Sequence, residues 1–222
     1  MRSHNVSIKI DGLHLDGLLT VPDNAAGTVL FAHGSGSGRH SARNQLVARA
    51  LNAAGLATLL FDLLTPKEEQ LDASTGHLRF DTTLLGFRLG AATDWLRTEA
   101  LAPEPFGYFG ASTGAAAAIR AATGRAGIVR AIVSRGGRPD LAGDALEALQ
   151  TPILLIVGGA DRAVVERNAE AFHHLRVEKE MVIIPGATHL FPEPGALGEV
   201  ARLASEWLSR HLTAARVPEA AW

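Results

Sequence analysis

The stretch that most constrains this chain is Gly110-Ala111-Ser112-Thr113-Gly114, which follows Phe106-Gly107-Tyr108-Phe109 and precedes Ala115-Ala116-Ala117-Ala118-Ile119. The aromatic tetrapeptide reads as a buried strand and the alanine run as the start of a helix. A G-x-S-x-G pentapeptide between a strand and a helix demands a sharp turn, with the serine hydroxyl held out at the end of a sheet. Such a turn is strained at the serine, and the residues two positions either side must lack a Cβ that would clash. Gly110 and Gly114 meet that demand. A chain with 23 glycines can produce the pattern by accident, so its surroundings carry the argument.

Those surroundings alternate. Residues 28–32 and 57–61 are continuous apolar runs, as expected of strands buried on both faces. Between them Ser41 is placed to cap a helix running to Ala54. Its Leu46, Val47, Ala50, Leu51 and Ala54 recur at helical spacing, and Gly55 closes it. Residues 6–10 and 13–21 flank Asp11-Gly12 and predict an antiparallel hairpin at a sheet edge. Further strands are expected at 106–109, 129–134, 153–157 and 181–184. Further helices are expected at 84–97, from the serine turn to near Gly124, at 168–175, and at a final stripe through Leu197, Val200, Ala201, Ala204, Trp207 and Leu208. The pattern implies a mostly parallel sheet covered by helices on both faces. Residues 1–212 are expected to form one domain and 213–222 a tail. The stretch 63–83 reads as a long polar loop, and 135–151 as glycine-rich and then briefly helical. Neither is large enough for a lid domain.

Composition narrows the function. At 222 residues, 47% hydrophobic and 20% charged, the chain suits one well-buried core. A net charge of −2 provides no basic field for nucleic acid or an anionic membrane surface, so neither is expected as a partner. With no cysteine, thiolate nucleophiles, disulfides and cysteine zinc sites are excluded. The first residues lack the apolar core of a signal peptide, and no apolar run reaches membrane-spanning length. A cytoplasmic location is therefore expected. Oligomeric state is left open, including any part for Trp222.

A serine hydroxyl is a poor nucleophile until a base takes its proton and donors hold the oxyanion that forms. The base and its orienting acid are expected at later strand ends, in the order serine, acid, histidine. Strand 153–157 runs into Gly158-Gly159-Ala160-Asp161, and strand 181–184 into Pro185-Gly186-Ala187-Thr188-His189. His189 would serve Ser112 as general base and then as acid. Asp161 would fix the imidazole tautomer and stabilise its cation. Alone, Asp161 reads equally well as a helix cap and His189 as a surface residue. Their joint order at successive strand ends favours a catalytic triad. The oxyanion donors would be the N–H of Thr113 and one from the loop His33-Gly34-Ser35-Gly36-Ser37-Gly38, with Ser35 preferred and Gly36 the alternative. His33 suits a backbone-orienting role, and His173 and His174 should be exposed on their helix.

A competing reading starts from the same loop. Strand, Gly34-x-Gly36-x-Gly38, helix, strand and Asp62 imitate a dinucleotide-binding unit. The glycine spacing is wrong, two strands precede the unit, and Ser112, Asp161 and His189 would go unexplained. The absence of a lysine after the glycines excludes a Walker loop as well.

With these residues in view, nearly the whole chain resembles α/β hydrolases of the dienelactone-hydrolase-like group. The matching stretches are 33–37 with Arg39-His40-Ser41, the serine pentapeptide, 158–161 and 186–189. Ser134-Arg135-Gly136-Gly137-Arg138-Pro139-Asp140 is similar to a bacterial branch in which some members are fused to a phosphoribosyltransferase domain. The resemblance implies an α/β-hydrolase fold, no cofactor and no metal. It also implies hydrolysis of small carboxylic esters through an acyl-enzyme, with amide, lactone or antibiotic-ester hydrolysis and a non-catalytic binding protein as alternatives. Dienelactone hydrolase itself uses a cysteine where this chain has Ser112, which favours simple esters. Substrate contacts are expected from Gly36, Leu63, Leu64, Arg135 and Arg138. The arginines read more simply as ion-paired with Asp140 or Asp144, or solvated. Leu63, Leu64, Phe80 and Phe191 fit either an apolar wall or the core. Glu68, Glu69 and Asp72 would repel anions if they faced the site.

Overall fold

A computed structural model of the chain describes residues 1–213. Eight strands form one sheet: β1 (Arg2–Ile10), β2 (Leu13–Val21), β3 (Thr28–Ala32), β4 (Ala57–Phe61), β5 (Phe106–Ala111), β6 (Val129–Arg135), β7 (Ile153–Gly158) and β8 (Lys179–Ile184). Their spatial order is β1-β2-β4-β3-β5-β6-β7-β8. The hairpin β1–β2 is antiparallel and joins β4 antiparallel, while every later pairing is parallel. Parallel strands require crossovers, and helices supply them: α1 (Ala42–Ala53), α2 (Pro66–Thr75), α3 (Thr82–Thr98), α4 (Thr113–Ala122), α5 (Ala145–Ala148), α6 (Arg162–His174) and α7 (Ala196–Thr213).

The two sheet faces carry separate apolar layers. One packs Leu30, Leu59, Tyr108, Ile132 and Leu155 under α3, α4 and the end of α6. The other packs Phe31, Phe109, Val133 and Ile156 under α1 and α7, with Trp207 nearly inaccessible between them. Alternate residues of β5 and β6 serve opposite layers, as strand geometry requires. Small residues on α4 allow close approach to the sheet, where Ala115 to Ala118 are fully buried.

Three expectations change. The stretch 63–83 is not a plain loop. It contains α2 and a short 3-10 turn at Leu78–Phe80. Polar residues hid the helix because its signal is a cap and not an apolar stripe. The Thr65 hydroxyl accepts from Glu68 N–H, and the Glu68 carboxylate accepts from Thr65 N–H at 2.8 Å. Helix α6 starts at Arg162, well before residue 168, because only Val164, Asn168 and Ala171 are buried along it. Thr213, expected in the tail, closes α7, and residues 214–222, Trp222 among them, lie outside the described residues. No helix among the described residues is long and apolar enough to cross a membrane.

Candidate active site

The C-terminal ends of β3, β5, β6 and β7 lie side by side. Ala32 pairs with Gly110, Ala111 with Arg135, and Arg135 with Ile156. The loops that follow these strands therefore meet at one edge of the sheet, and Ser112 stands among them. Its φ is 52° and ψ −122°, a region that L-residues avoid. The backbone around it holds this geometry. Ser112 N–H donates to the Arg135 carbonyl at 3.3 Å, and the Ser112 carbonyl accepts from Arg138 N–H at 3.0 Å. The motif 134–140 thus clamps the serine on both sides, a role the sequence did not reveal.

Gly114 is required for a separate reason: any Cβ there would collide with the Ala32 carbonyl on β3. Gly34 approaches from the other side, where an added Cβ would stand 2.9 Å from Ser112 Cβ. Gly114→Ala should lower the unfolding free energy by about 3 kcal/mol or more, since backbone and not a flexible side chain blocks the space. Urea denaturation monitored by circular dichroism measures it.

His189 Nε2 lies 3.3 Å from Ser112 Oγ, and His189 Nδ1 lies 2.8 Å from Asp161 Oδ2. Asp161 occupies the N-cap position of α6 but makes no side-chain cap bond. Its carboxylate is turned to the imidazole instead. That partnership assigns the proton of the neutral ring to Nδ1 and leaves Nε2 as acceptor for the serine hydroxyl. The His189 side chain is 39% exposed, so a substrate can reach it. Glu193 steadies the turn that carries it, accepting from the Thr188 hydroxyl at 2.6 Å and from Thr188 N–H at 3.1 Å. The hydroxyl contact holds the Glu193 carboxyl below its ordinary pKa.

Ser35 and Thr113 are brought together across the serine. Their hydroxyl oxygens are 3.3 Å apart. Thr113 opens α4, so its N–H has no carbonyl one turn earlier to bond. Ser35 follows Gly34, whose carbonyl accepts from Ser37 N–H at 3.2 Å. Gly36 has φ +68°, and this turn needs a positive φ there. A trans peptide points its N–H opposite its carbonyl, so the Ser35 N–H faces out of the turn. Among the described residues it donates to no protein acceptor.

His33 fixes that peptide. Its Nε2 accepts from Leu63 N–H at 2.9 Å, so Nδ1 carries the proton and donates to the Gly34 carbonyl at 3.0 Å. Burial holds the imidazole below its ordinary pKa and keeps it neutral. A lowered folded-state value means this stabilisation is present above about pH 6.5 and is lost as pH falls through the folded value. His33→Phe should reduce kcat about 10- to 100-fold with little change in KM, less than the ~10²–10³ of losing an oxyanion donor outright. Steady-state kinetics on any turned-over ester checks it.

Asp62, the acid of the dinucleotide reading, is engaged elsewhere. It accepts from Arg39 N–H at 2.7 Å and pairs with the Arg39 guanidinium, which anchors the far end of the glycine loop. Beside this loop opens a cavity of about 700 Å³, lined by Gly36, Leu64, Pro66, Glu69, Arg79 and Arg43 among others. Its outer wall includes α2. That helix is tied down by Glu68, which pairs with the buried Arg88 at 2.6 Å, and by Asp72, which pairs with Arg79 at 2.5 Å. Hydrogen bonding from Arg88 draws the Glu68 carboxyl down to about 2.

Several expected substrate contacts are relocated. Leu63 and Phe191 are buried in the two apolar layers and are not part of the wall of that cavity. Leu64 is buried yet reaches the cavity wall, whereas Phe80 is 59% exposed. Arg138 pairs with Asp140 at 2.7 Å, as its simpler reading expected. Arg135 does not: it is buried and makes no ion pair among the described residues, because β6 carries it beneath the His189 turn. His173 and His174 are exposed.

The strand order and a strained serine between strand and helix define an α/β hydrolase. Structural comparison agrees. Est1E from Butyrivibrio proteoclasticus is 18% identical and superposes with a TM-score of 0.77 over 93% of this chain and 98% of its own, a likeness of fold. The dienelactone hydrolase family profile matches residues 15–214, and this chain belongs to that family. A dienelactone hydrolase structure from Anabaena variabilis is 53% identical, with a TM-score of 0.91 over 95% of this chain and 98% of that one. Two Mycobacterium tuberculosis relatives with a provisional phosphoribosyl transferase name are 52% identical over 213 residues, covering 96% of this chain. The chain spans about half the length, 47%, of these curated relatives.

Proposed function

We propose that this chain is a serine hydrolase of small carboxylic esters, with Ser112 as nucleophile, His189 as general base and acid, and Asp161 as its orienting partner. The observation that carries the reading is the unbroken relay from Asp161 Oδ2 through His189 to Ser112 Oγ, at 2.8 and 3.3 Å. Ser112 Oγ attacks the ester carbonyl as its proton passes to His189 Nε2. The Ser35 and Thr113 N–H groups receive the oxyanion. Collapse expels the alcohol, which takes the proton from Nε2, and leaves an acyl-serine. Water, deprotonated by the same nitrogen, then releases the acid.

The cavity beside the glycine loop would hold the acyl or alcohol group, with Gly36 and Leu64 in its wall. Its mixed lining suits short or medium chains. A lactone is the second reading, favoured by the 53% identity to a structure named dienelactone hydrolase. A ring-closed ester needs no other machinery. The transferase name belongs to proteins about twice this length, and we assign that chemistry to the part of them that this chain does not match. A cytoplasmic site of action accords with the lack of cysteine. The test is labelling by a fluorophosphonate probe, with the adduct mapped by peptide mass spectrometry, together with a panel of 4-nitrophenyl esters and lactones. Folded protein that leaves Ser112 unlabelled would overturn the assignment.

A further inference from the structure

Arg135, the last residue of β6, is buried in an unusual way. It is 6% exposed, and its one side-chain hydrogen bond among the described residues is long, from Nη2 to Asn44 Oδ1 at 3.5 Å. The Phe191 ring lies 5.9 Å from its Cζ. The charged group that acts on it is a second cation, Arg43. Burial first, and then the charge of Arg43, draw the Arg135 guanidinium down to about 10. The Arg43 Nε is itself buried without a hydrogen-bond partner. Both Arg43 and Asn44 belong to the first turn of α1, which carries no acidic residue there. A helix start presents the positive end of its peptide dipoles.

Two guanidinium groups therefore lie near one helix N-terminus, and among the described residues no carboxylate is ion-paired with either. Burying cations in this way is strongly unfavourable unless a counter-charge arrives. The place where it would arrive adjoins the reacting groups. Arg135 pairs with Ala111 across the strands, its carbonyl accepts from Ser112 N–H, and Gly136 packs against His189.

We propose that Arg135, Arg43 and Asn44 form a binding site for a small oxyanion, a carboxylate or a phosphate, beside the serine turn. Arginine forks match the paired oxygens of either anion. Asn44, accepting through Oδ1, keeps its amide N–H groups as further donors. The anion is either an arm of the substrate or a free ion. Only the first of these rests on the hydrolase reading.

Calorimetric titration and thermal melting with inorganic phosphate and with succinate read the site without turnover, in the native chain and in Ser112→Ala alike. Saturable binding that raises Tm is expected, weakened at least about tenfold in Arg135→Met. In the absence of anion, Arg135→Met should melt no lower than the native chain. An arginine that merely props the Phe191 turn would instead lose stability on removal. If Arg135→Met does not fold, the half-buried Arg43→Gln must show the same loss of binding. Hydrolysis of 4-nitrophenyl hemisuccinate against 4-nitrophenyl butyrate then separates the sources. A preference for the anionic ester that falls in Arg43→Gln places the charge on the substrate, and equal rates with phosphate binding intact place it on a free ion. No saturable binding of either anion, or equal binding in native chain and variants, overturns the proposal.

Discussion

Ser112→Ala is expected to lower kcat for ester hydrolysis by about 10⁴-fold or more, leaving only what oriented donors and binding supply. The substitution removes one oxygen. The backbone bonds from Ser112 to Arg135 and Arg138 do not involve that oxygen, so the fold should persist. Alanine also tolerates the unusual φ no worse than serine does. Circular dichroism should superpose with that of the native chain while turnover disappears. Undiminished turnover would instead move the nucleophile to another residue.

Asp161→Asn should cost about 10⁴-fold in kcat, for a different reason. Asparagine keeps the shape of the side chain but can turn an N–H toward the ring. The imidazole would then place its proton on Nε2, facing the serine hydroxyl, and could no longer accept from it. Fluorophosphonate labelling should slow in parallel, because it depends on the same proton transfer. KM should move little, since Asp161 contacts the ring at 2.8 Å and lies behind it from the substrate. A loss confined to KM would reassign Asp161 to substrate binding.

The parts of this architecture that sequence exposes are those written in local chemistry. Apolar runs gave β3 and β4 to the residue, and the Ser41 cap placed the start of α1, because burial on both faces and capping each leave an unambiguous pattern. The grouping of Ser112, Asp161 and His189 was legible because chain order and strand ends constrain the three positions jointly. What escaped was set by tertiary contact. Helix α2 has almost no apolar stripe and is held by ion pairs to Arg88 and Arg79, partners invisible from its own residues. The clamp of 135–138 on Ser112 runs through backbone atoms, which no side-chain pattern reports. Arg138 pairs with Asp140 while Arg135 has no ion-pair partner among the described residues, and two arginines three positions apart look alike in a sequence.

Helix α2 also bears on how such an enzyme can change. It adjoins the cavity without supplying a strand to the sheet, and side-chain tethers and its own cap hold it there. The sheet and the serine turn do not depend on its composition. Exchanging that one segment, with Arg88 and Glu68 kept as its moorings, offers a way to retool selectivity while the reaction centre stays as it is.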